Sequence, residues 1–159
     1  MPFPQLVVGL SVASGVMPGY VSVRGILEFN GSVLALFGAT ACWIIFLDTA
    51  YAVQDMLDDA KCGVQSLAVF LGKRVRMFLA LAAVITIAFF STAVLLSNLS
   101  LFTWIFGVGV WAASMIRSIF LLDLNVCASG GRVFKSNIES GFYLTVVTLV
   151  EGYLQACFF

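Results

Sequence analysis

Long apolar runs constrain the fold of this chain more than any other feature of its sequence. Five windows of about 20 predominantly apolar residues follow one another, and a helix of about that length crosses a bilayer. Backbone groups in lipid must be hydrogen-bonded within their own segment, so each window predicts a transmembrane α-helix. The windows cover residues 3–23, 33–53, 77–97, 99–122 and 140–158. We therefore expect an all-α, polytopic membrane bundle that forms a single domain over residues 1–159.

Composition supports this class of protein. Of the 159 residues, 62% are hydrophobic and 10% are charged, whereas a soluble domain is about half apolar and a quarter charged. Eight basic and eight acidic residues give no net charge and form no basic patch, so a nucleic-acid partner is not indicated. The chain has no His, and its four scattered Cys form no CxxC pair, so a zinc site is not indicated.

Several residues mark features within or between the windows. Pro18 predicts a kink in the first window, and Asn98 separates the third and fourth windows so closely that a tight helical hairpin is expected. Asp48 lies near the end of the second window and Glu151 lies inside the fifth. The first window has no basic residue before Arg24 and so lacks the pattern of a cleaved signal. It predicts a retained membrane helix.

Basic residues are distributed unequally between the two sides that this topology defines. The side of the N-terminus also holds the 54–76 and 123–139 loops, and the other side holds only Arg24 in its loops. The positive-inside rule then places the N-terminus and the 54–76 loop on the cytosolic side, or on the interior side of an organelle. The six basic residues of that side are Lys61, Lys73, Arg74, Arg76, Arg132 and Lys135.

An acidic cluster follows the second window, in the stretch DTAYAVQDMLDDAK. If the helix continued for three turns, its four carboxylates and one tyrosine would fall within an arc of about 100°. Such carboxylates repel one another unless a cation offsets them, and Mg²⁺ takes one or two carboxylates together with phosphate oxygens. The residues are Asp48, Tyr51, Asp55, Asp58 and Asp59, followed by Lys61. The pattern indicates a clamp for a lipid diphosphate; the alternative is a solvated helix end whose charges only set orientation.

The same stretch resembles the second aspartate-rich motif of the UbiA family of membrane prenyltransferases, in its 4-hydroxybenzoate polyprenyltransferase branch. Two flanking stretches, PQLVVGLSVASGVMPGY at the start and FKSNIESG at 134–141, also resemble family patterns and fall in the expected order. The matching positions of the central motif are Asp48, Thr49, Tyr51, Ala52, Asp55, Asp58, Asp59, Lys61, Gly63 and Ser66.

This resemblance implies a nine-helix bundle whose last five helices correspond to the five windows. It implies transfer of a prenyl group from an allylic polyprenyl diphosphate to an aromatic acceptor, such as 4-hydroxybenzoate or a meroterpenoid precursor, with Mg²⁺ as cofactor. By motif match, Asp55 and Asp59 would bind Mg²⁺. Lys61, Tyr51 and Asp58 would act on the diphosphate as catalytic residues, and Asp48 would join Lys61 and Tyr51 in the substrate-binding set.

The sequence departs from the family in one large respect. The first aspartate motif, N-D-x-x-D-x-x-x-D, is absent. The resemblance then implies that four N-terminal helices and half of the metal site are missing, and that the fragment is inactive unless an N-terminal half joins it as partner. Two other functions stay open: a membrane terpene cyclase of the same fold, and a non-catalytic truncated membrane protein.

Overall fold

The computed structural model describes residues 3–26, 28–126 and 128–158, and within these ranges the chain is helical and contains no strand. A short 3₁₀ turn occupies Gly72–Arg74, and a π-helix occupies Thr103–Gly109. The predicted all-α fold is confirmed. The α-helices are α1 (Pro4–Ala13), α2 (Val16–Arg24), α3 (Gly31–Ala52), α4 (Met56–Cys62), α5 (Leu67–Leu71), α6 (Val75–Leu96), α7 (Val110–Leu121) and α8 (Ala128–Phe158).

Four helical segments are long and apolar enough to cross a membrane: Pro4–Arg24, Gly31–Ala52, Leu67–Leu96 and Thr103–Leu121. The first, second and fourth agree with the predicted windows within a few residues, and the third begins ten residues before the predicted window 77–97. The fifth window forms the second part of α8, which is not among these four segments, so its crossing stays a prediction. With 31 residues, α8 is about 46 Å long at 1.5 Å per residue. That length matches a bilayer including its headgroup layers, about 40–45 Å.

The first segment is interrupted, as Pro18 predicts, but the break lies at Ser14 and Gly15 rather than at the proline itself. A proline has no N–H to donate to the carbonyl four residues earlier, and its ring clashes with that carbonyl. The residue four positions before Pro18 is Ser14. Its carbonyl instead accepts from the N–H of Met17 at 3.2 Å, which tightens the turn between α1 and α2.

Hydrogen bonds define one end of the bundle, which we call the acidic end. The Phe3 N–H donates to the Gln65 carbonyl at 3.3 Å, and the Gln5 side-chain oxygen accepts from the Leu67 N–H at 3.1 Å. The Arg76 guanidinium donates to the Leu122 carbonyl at 2.5 and 3.2 Å. The start of the chain, the α3–α6 connection and the α7–α8 loop therefore lie together, as the topology predicts. Which end faces the cytosol stays a prediction.

The opposite end is organised by the buried carboxylate of Glu151 on α8. It accepts four hydrogen bonds at 2.5–3.0 Å: from the N–H and hydroxyl of Ser100, the hydroxyl of Thr103 and the amide of Gln155. Ser100 immediately precedes the helical stretch that contains the π-helix, so the carboxylate lies where the helix dipole favours a negative charge. Glu151 thereby ties α8 to the turn between α6 and α7.

Candidate functional site

The helix that carries Asp48 does not continue through the acidic cluster, so the prediction of one unbroken helix over three further turns is wrong. α3 ends at Ala52, a turn occupies 53–55, and α4 begins at Met56. In the turn, the Gln54 N–H donates to the Tyr51 carbonyl at 3.0 Å and the Asp55 N–H to the Ala52 carbonyl at 3.2 Å. Bonds across three residues wind the chain more tightly than an α-helix does. The carboxylates of α4 therefore lose their alignment with Asp48.

Within α4 the cluster keeps a smaller, regular arrangement. Asp55 occupies the N-cap position, and the Asp59 N–H donates to the Asp55 carbonyl at 2.8 Å. Residues four apart lie on the same face of a helix, so Asp55 and Asp59 form a pair. Asp58, about 100° around the helix axis from Asp59, accepts from the Lys61 ammonium at 3.0 Å, with both side chains largely exposed. The helix ends at Gly63, whose φ of 71° is left-handed.

The donor set at the acidic end suits a metal ion that is shared with a substrate phosphate rather than one held in a cage of protein side chains. Among the residues that the structure describes, no three acidic or cysteine side chains come together as a ligand cage. Asp55 and Asp59 nevertheless provide hard carboxylate oxygens on one helix face. Mg²⁺ commonly keeps several waters and takes one or two carboxylates plus substrate phosphates. The pair therefore fits a Mg²⁺ ion shared with a diphosphate and does not fit a site made by this chain alone.

The first turns of α8 lie directly against the end of α3. A Cβ on Gly130 would lie 2.7 Å from the Ala50 carbonyl oxygen and 3.0 Å from that of Tyr51. One turn further along α8, the Phe134 ring packs on the Tyr51 ring with centroids 5.0 Å apart. Sequence reasoning named Tyr51 but did not assign Gly130 or Phe134 to the site. The available signal was the FKSNIESG resemblance, which begins at Phe134.

Replacement of Gly130 by alanine is expected to disturb this packing. The new methyl group would meet backbone carbonyls, which have little freedom to move, and overpacking of this kind costs about 1–3 kcal/mol. Gly152→Ala is the matched control, because it lies in the same helix and its Cβ would meet nothing within 4 Å. Thermal unfolding in detergent should show a lower midpoint for Gly130→Ala and an unchanged or higher one for Gly152→Ala. Equal midpoints would contradict the close approach of α8 to α3.

An apolar groove begins one helical turn beyond the Tyr51–Phe134 pair and runs between α3 and α8 away from the acidic end. Its volume is about 490 Å³, and Leu47 and Ile138 line it at the end nearer the site. Trp43, eight residues before Tyr51 and therefore about 12 Å along α3, lines it further in. Trp43 also packs on Trp111, with ring centroids 5.5 Å apart. Polar and apolar binding surfaces are thus adjacent along one helix.

Asp48 and two basic residues of α8 also lie toward the acidic end. Asp48 is half-buried on α3, one turn before the exposed Tyr51. Arg132 and Lys135, in the first two turns of α8, are exposed at the same end as α4. The structure thus collects the six predicted site residues at the acidic end, on two helices instead of one.

The whole arrangement is a helical membrane bundle with an aspartate pair and a lysine at one end and an apolar groove beside them. Comparison with known protein families finds a match to the UbiA prenyltransferase family over residues 1–145. The chain belongs to the UbiA prenyltransferase family.

Individual relatives agree with this membership. The chain is 47% identical over 151 residues to the polyprenyl transferase yanG of Aspergillus niger, with 95% of the chain and 46% of the relative covered. It is 46% identical over 151 residues to the polyprenyl transferase macG of Penicillium terrestre, with 95% and 47% covered. The chain therefore spans about half the length of the curated relatives it matches. No solved structure matches it significantly.

Proposed function

We propose that this chain supplies one half of the diphosphate-binding site of a Mg²⁺-dependent membrane prenyltransferase. The observation that carries the proposal is the Asp55–Asp59 pair, one helical turn apart at the start of α4, with Lys61 in the same helix and an apolar groove that begins one turn beyond Tyr51 on α3. A polyprenyl diphosphate has the matching chemistry, since a polar, doubly phosphorylated head is joined to an apolar chain. UbiA prenyltransferases generally use a divalent metal ion, and the relatives are named polyprenyl transferases.

Each residue of the site has a role in binding or polarising the diphosphate. Asp55 and Asp59 would hold the Mg²⁺ ion, which when bound supplies positive charge that stabilises the departing diphosphate. The exposed Lys61 ammonium can exchange the Asp58 carboxylate for diphosphate oxygens, because an exposed ion pair is worth at most about 1 kcal/mol. Tyr51 presents a hydroxyl donor, and Asp48 lies one turn behind it on α3.

The apolar groove between α3 and α8 would take the prenyl chain and keep water from the reacting carbon. Departure of the diphosphate leaves an allylic cation, and water would capture such a cation before an acceptor ring does. Tyr51 and Phe134 form an aromatic pair between the acidic pair and the groove, and aromatic faces attract cations. We expect the two rings to stabilise the allylic cation and so to disfavour its capture by water. An electron-rich aromatic acceptor would complete the transfer.

The chain is expected to need a second polypeptide segment for catalysis. The sequence has one cluster of aspartates, over residues 48–59, and the chain spans about half the length of its relatives. We propose that the complementary segment carries the first aspartate motif and the opposite wall of the cavity, and that the acidic end faces the cytosol. A membrane terpene cyclase would bind the diphosphate with the same residues but would use no aromatic acceptor. A non-catalytic membrane protein would bind neither the diphosphate nor an acceptor.

Complementation distinguishes these three functions. The chain is co-expressed with the part of yanG that it does not match, and the membranes receive farnesyl diphosphate, Mg²⁺ and a panel of phenolic acids. A prenylated phenol supports the proposal, whereas a cyclic terpene made without acceptor supports the cyclase. Asp59→Asn in the chain should abolish either product. In a positive control, the part of yanG that the chain matches is co-expressed instead of the chain. If this control restores activity but the chain gives no product, a catalytic role for the chain is contradicted.

A further inference from the structure

A second groove lies between α7 and α8, on the face of α8 opposite to α3. Its volume is about 400 Å³. The α8 residues that line it are rotated by about half a turn from those that face α3, at 100° per residue. Unlike the groove beside α3, it is lined for the most part by residues that carry a polar or charged side chain, six of the nine. The side chains that matter are Ser114 and Arg117 of α7 and Ser136, Glu139, Ser140 and Tyr143 of α8.

The two charges in this groove are not paired with each other. Within the described ranges of the chain, the one ion pair closer than 4.0 Å joins Lys61 and Asp58. Arg117 and Glu139 therefore line the same groove at a greater separation, and neither takes part in a hydrogen bond among the described side chains. In the same groove, the hydroxyl oxygens of Ser114 and Ser140 lie 2.6 Å apart. The groove thus presents a cation, a carboxylate and neutral hydroxyls side by side.

Its depth corresponds to the boundary between headgroups and hydrocarbon. Arg117 lies four residues before the end of α7, about 6 Å from the acidic end of that helix. The hydrogen bond from Asn137 to Ser118 fixes α8 at the same level. Charges placed in a membrane helix are costly unless they have partners. Deeper in, the groove is lined by Val110 and Trp111, which suit an apolar chain.

We propose that this groove binds a phospholipid with a phosphoethanolamine headgroup. The phosphate would pair with the Arg117 guanidinium, and the primary ammonium would donate to the Glu139 carboxylate and the serine hydroxyls. One acyl chain would follow Trp111 into the hydrocarbon layer. A purely anionic headgroup offers no partner for Glu139, and a choline headgroup has no N–H to donate. The site is separate from the acidic pair and does not depend on the proposed prenyl transfer.

Native mass spectrometry of the full chain in detergent tests this assignment. The protein is titrated with phosphatidylethanolamine, phosphatidylcholine and phosphatidylglycerol that have identical acyl chains. Phosphatidylethanolamine should bind about tenfold more tightly than the other two, because a hydrogen bond to a charged group is worth about one factor of ten. Equal binding of the three lipids by the unaltered chain would overturn the proposal without any need for variants.

Charge variants assign the binding to the groove. Arg117→Gln should weaken binding of phosphatidylethanolamine by about tenfold, and Glu139→Gln should remove the preference over phosphatidylglycerol. Lys135→Gln is the matched control: it removes one exposed positive charge from α8 at the same end but does not line the groove. If Lys135→Gln weakens binding as much as Arg117→Gln, the lipid is held by general surface charge and the proposed site is wrong.

Discussion

Replacement of either Asp55 or Asp59 by asparagine is expected to weaken Mg²⁺-dependent binding of farnesyl diphosphate by at least tenfold. Asparagine keeps the size of the side chain and removes the charge that attracts the ion. The two carboxylates bind the same ion, and the effects of substituting residues that share a partner are not additive. The double variant should therefore lose little more binding affinity than the more severe single variant. Binding of radiolabelled farnesyl diphosphate to the chain in lipid nanodiscs measures this effect.

Two controls accompany these variants. Glu28→Gln removes an exposed acid beyond the bundle's other end and should leave binding unchanged. Asp58→Asn should have a smaller effect than either member of the pair, because the Asp58 carboxylate is already engaged by the Lys61 ammonium. If all four variants bind farnesyl diphosphate equally, the acidic cluster is a solvated helix end and does not bind the diphosphate.

Replacement of Glu151 by alanine is expected to cause a large loss of stability. The carboxylate is 2% exposed, and its removal leaves four donors without their acceptor, among them a backbone N–H at a helix start. Side-chain hydrogen bonds in membrane proteins average about 0.6 kcal/mol and reach about 1.7. Four of them, together with the buried donors left unsatisfied, give a loss of about 3 kcal/mol in the free energy of unfolding.

Unfolding in mixed micelles, followed by tryptophan fluorescence, tests this expectation. Glu139→Ala is the matched control, since it removes the same group from the same helix at an exposed position. Detergent free of phospholipid keeps the groove between α7 and α8 from influencing the result. If Glu151→Ala lowers the free energy of unfolding no more than Glu139→Ala does, the four hydrogen bonds do not hold α8 to the α6–α7 turn.

The sequence predicted the helices well because the bilayer imposes a simple rule on each of them. An apolar run of sufficient length has to be helical in lipid, and the first four windows agree with helices within a few residues. The exact position at which a helix breaks depends on contacts between neighbouring residues. Pro18 disrupts the chain at Ser14, four residues earlier, because its missing N–H and its ring act on that carbonyl.

The site was harder to predict because its geometry depends on a turn that has no strong sequence signal. The residues 53–55 contain neither glycine nor proline, and nothing in VQD marks the end of α3. Extrapolation of a regular helix therefore aligned Asp48 with Asp55 and Asp59. The family resemblance was more informative, since it paired Asp55 with Asp59 without any assumption about helix continuity.

The long-range contacts of this chain could not be predicted, for a different reason. Gly130 matters only because α8 crosses the end of α3 at that point, and Glu151 matters because Ser100 lies beside it, 51 positions away in sequence. Hydropathy and spacing carry no information about such contacts. A charged residue within an apolar window is the available signal, and it identifies Glu151 without indicating its partners.

Electron paramagnetic resonance tests directly whether Asp55 and Asp59 bind a metal ion that also contacts the diphosphate. Mn²⁺ replaces Mg²⁺ on the chain in nanodiscs that are loaded with farnesyl diphosphate and then separated from free ligand. We expect phosphorus hyperfine coupling to the bound Mn²⁺, lost in the Asp55→Asn, Asp59→Asn double variant. Bound Mn²⁺ without phosphorus coupling, or coupling that persists in the double variant, would show that the pair does not hold such an ion.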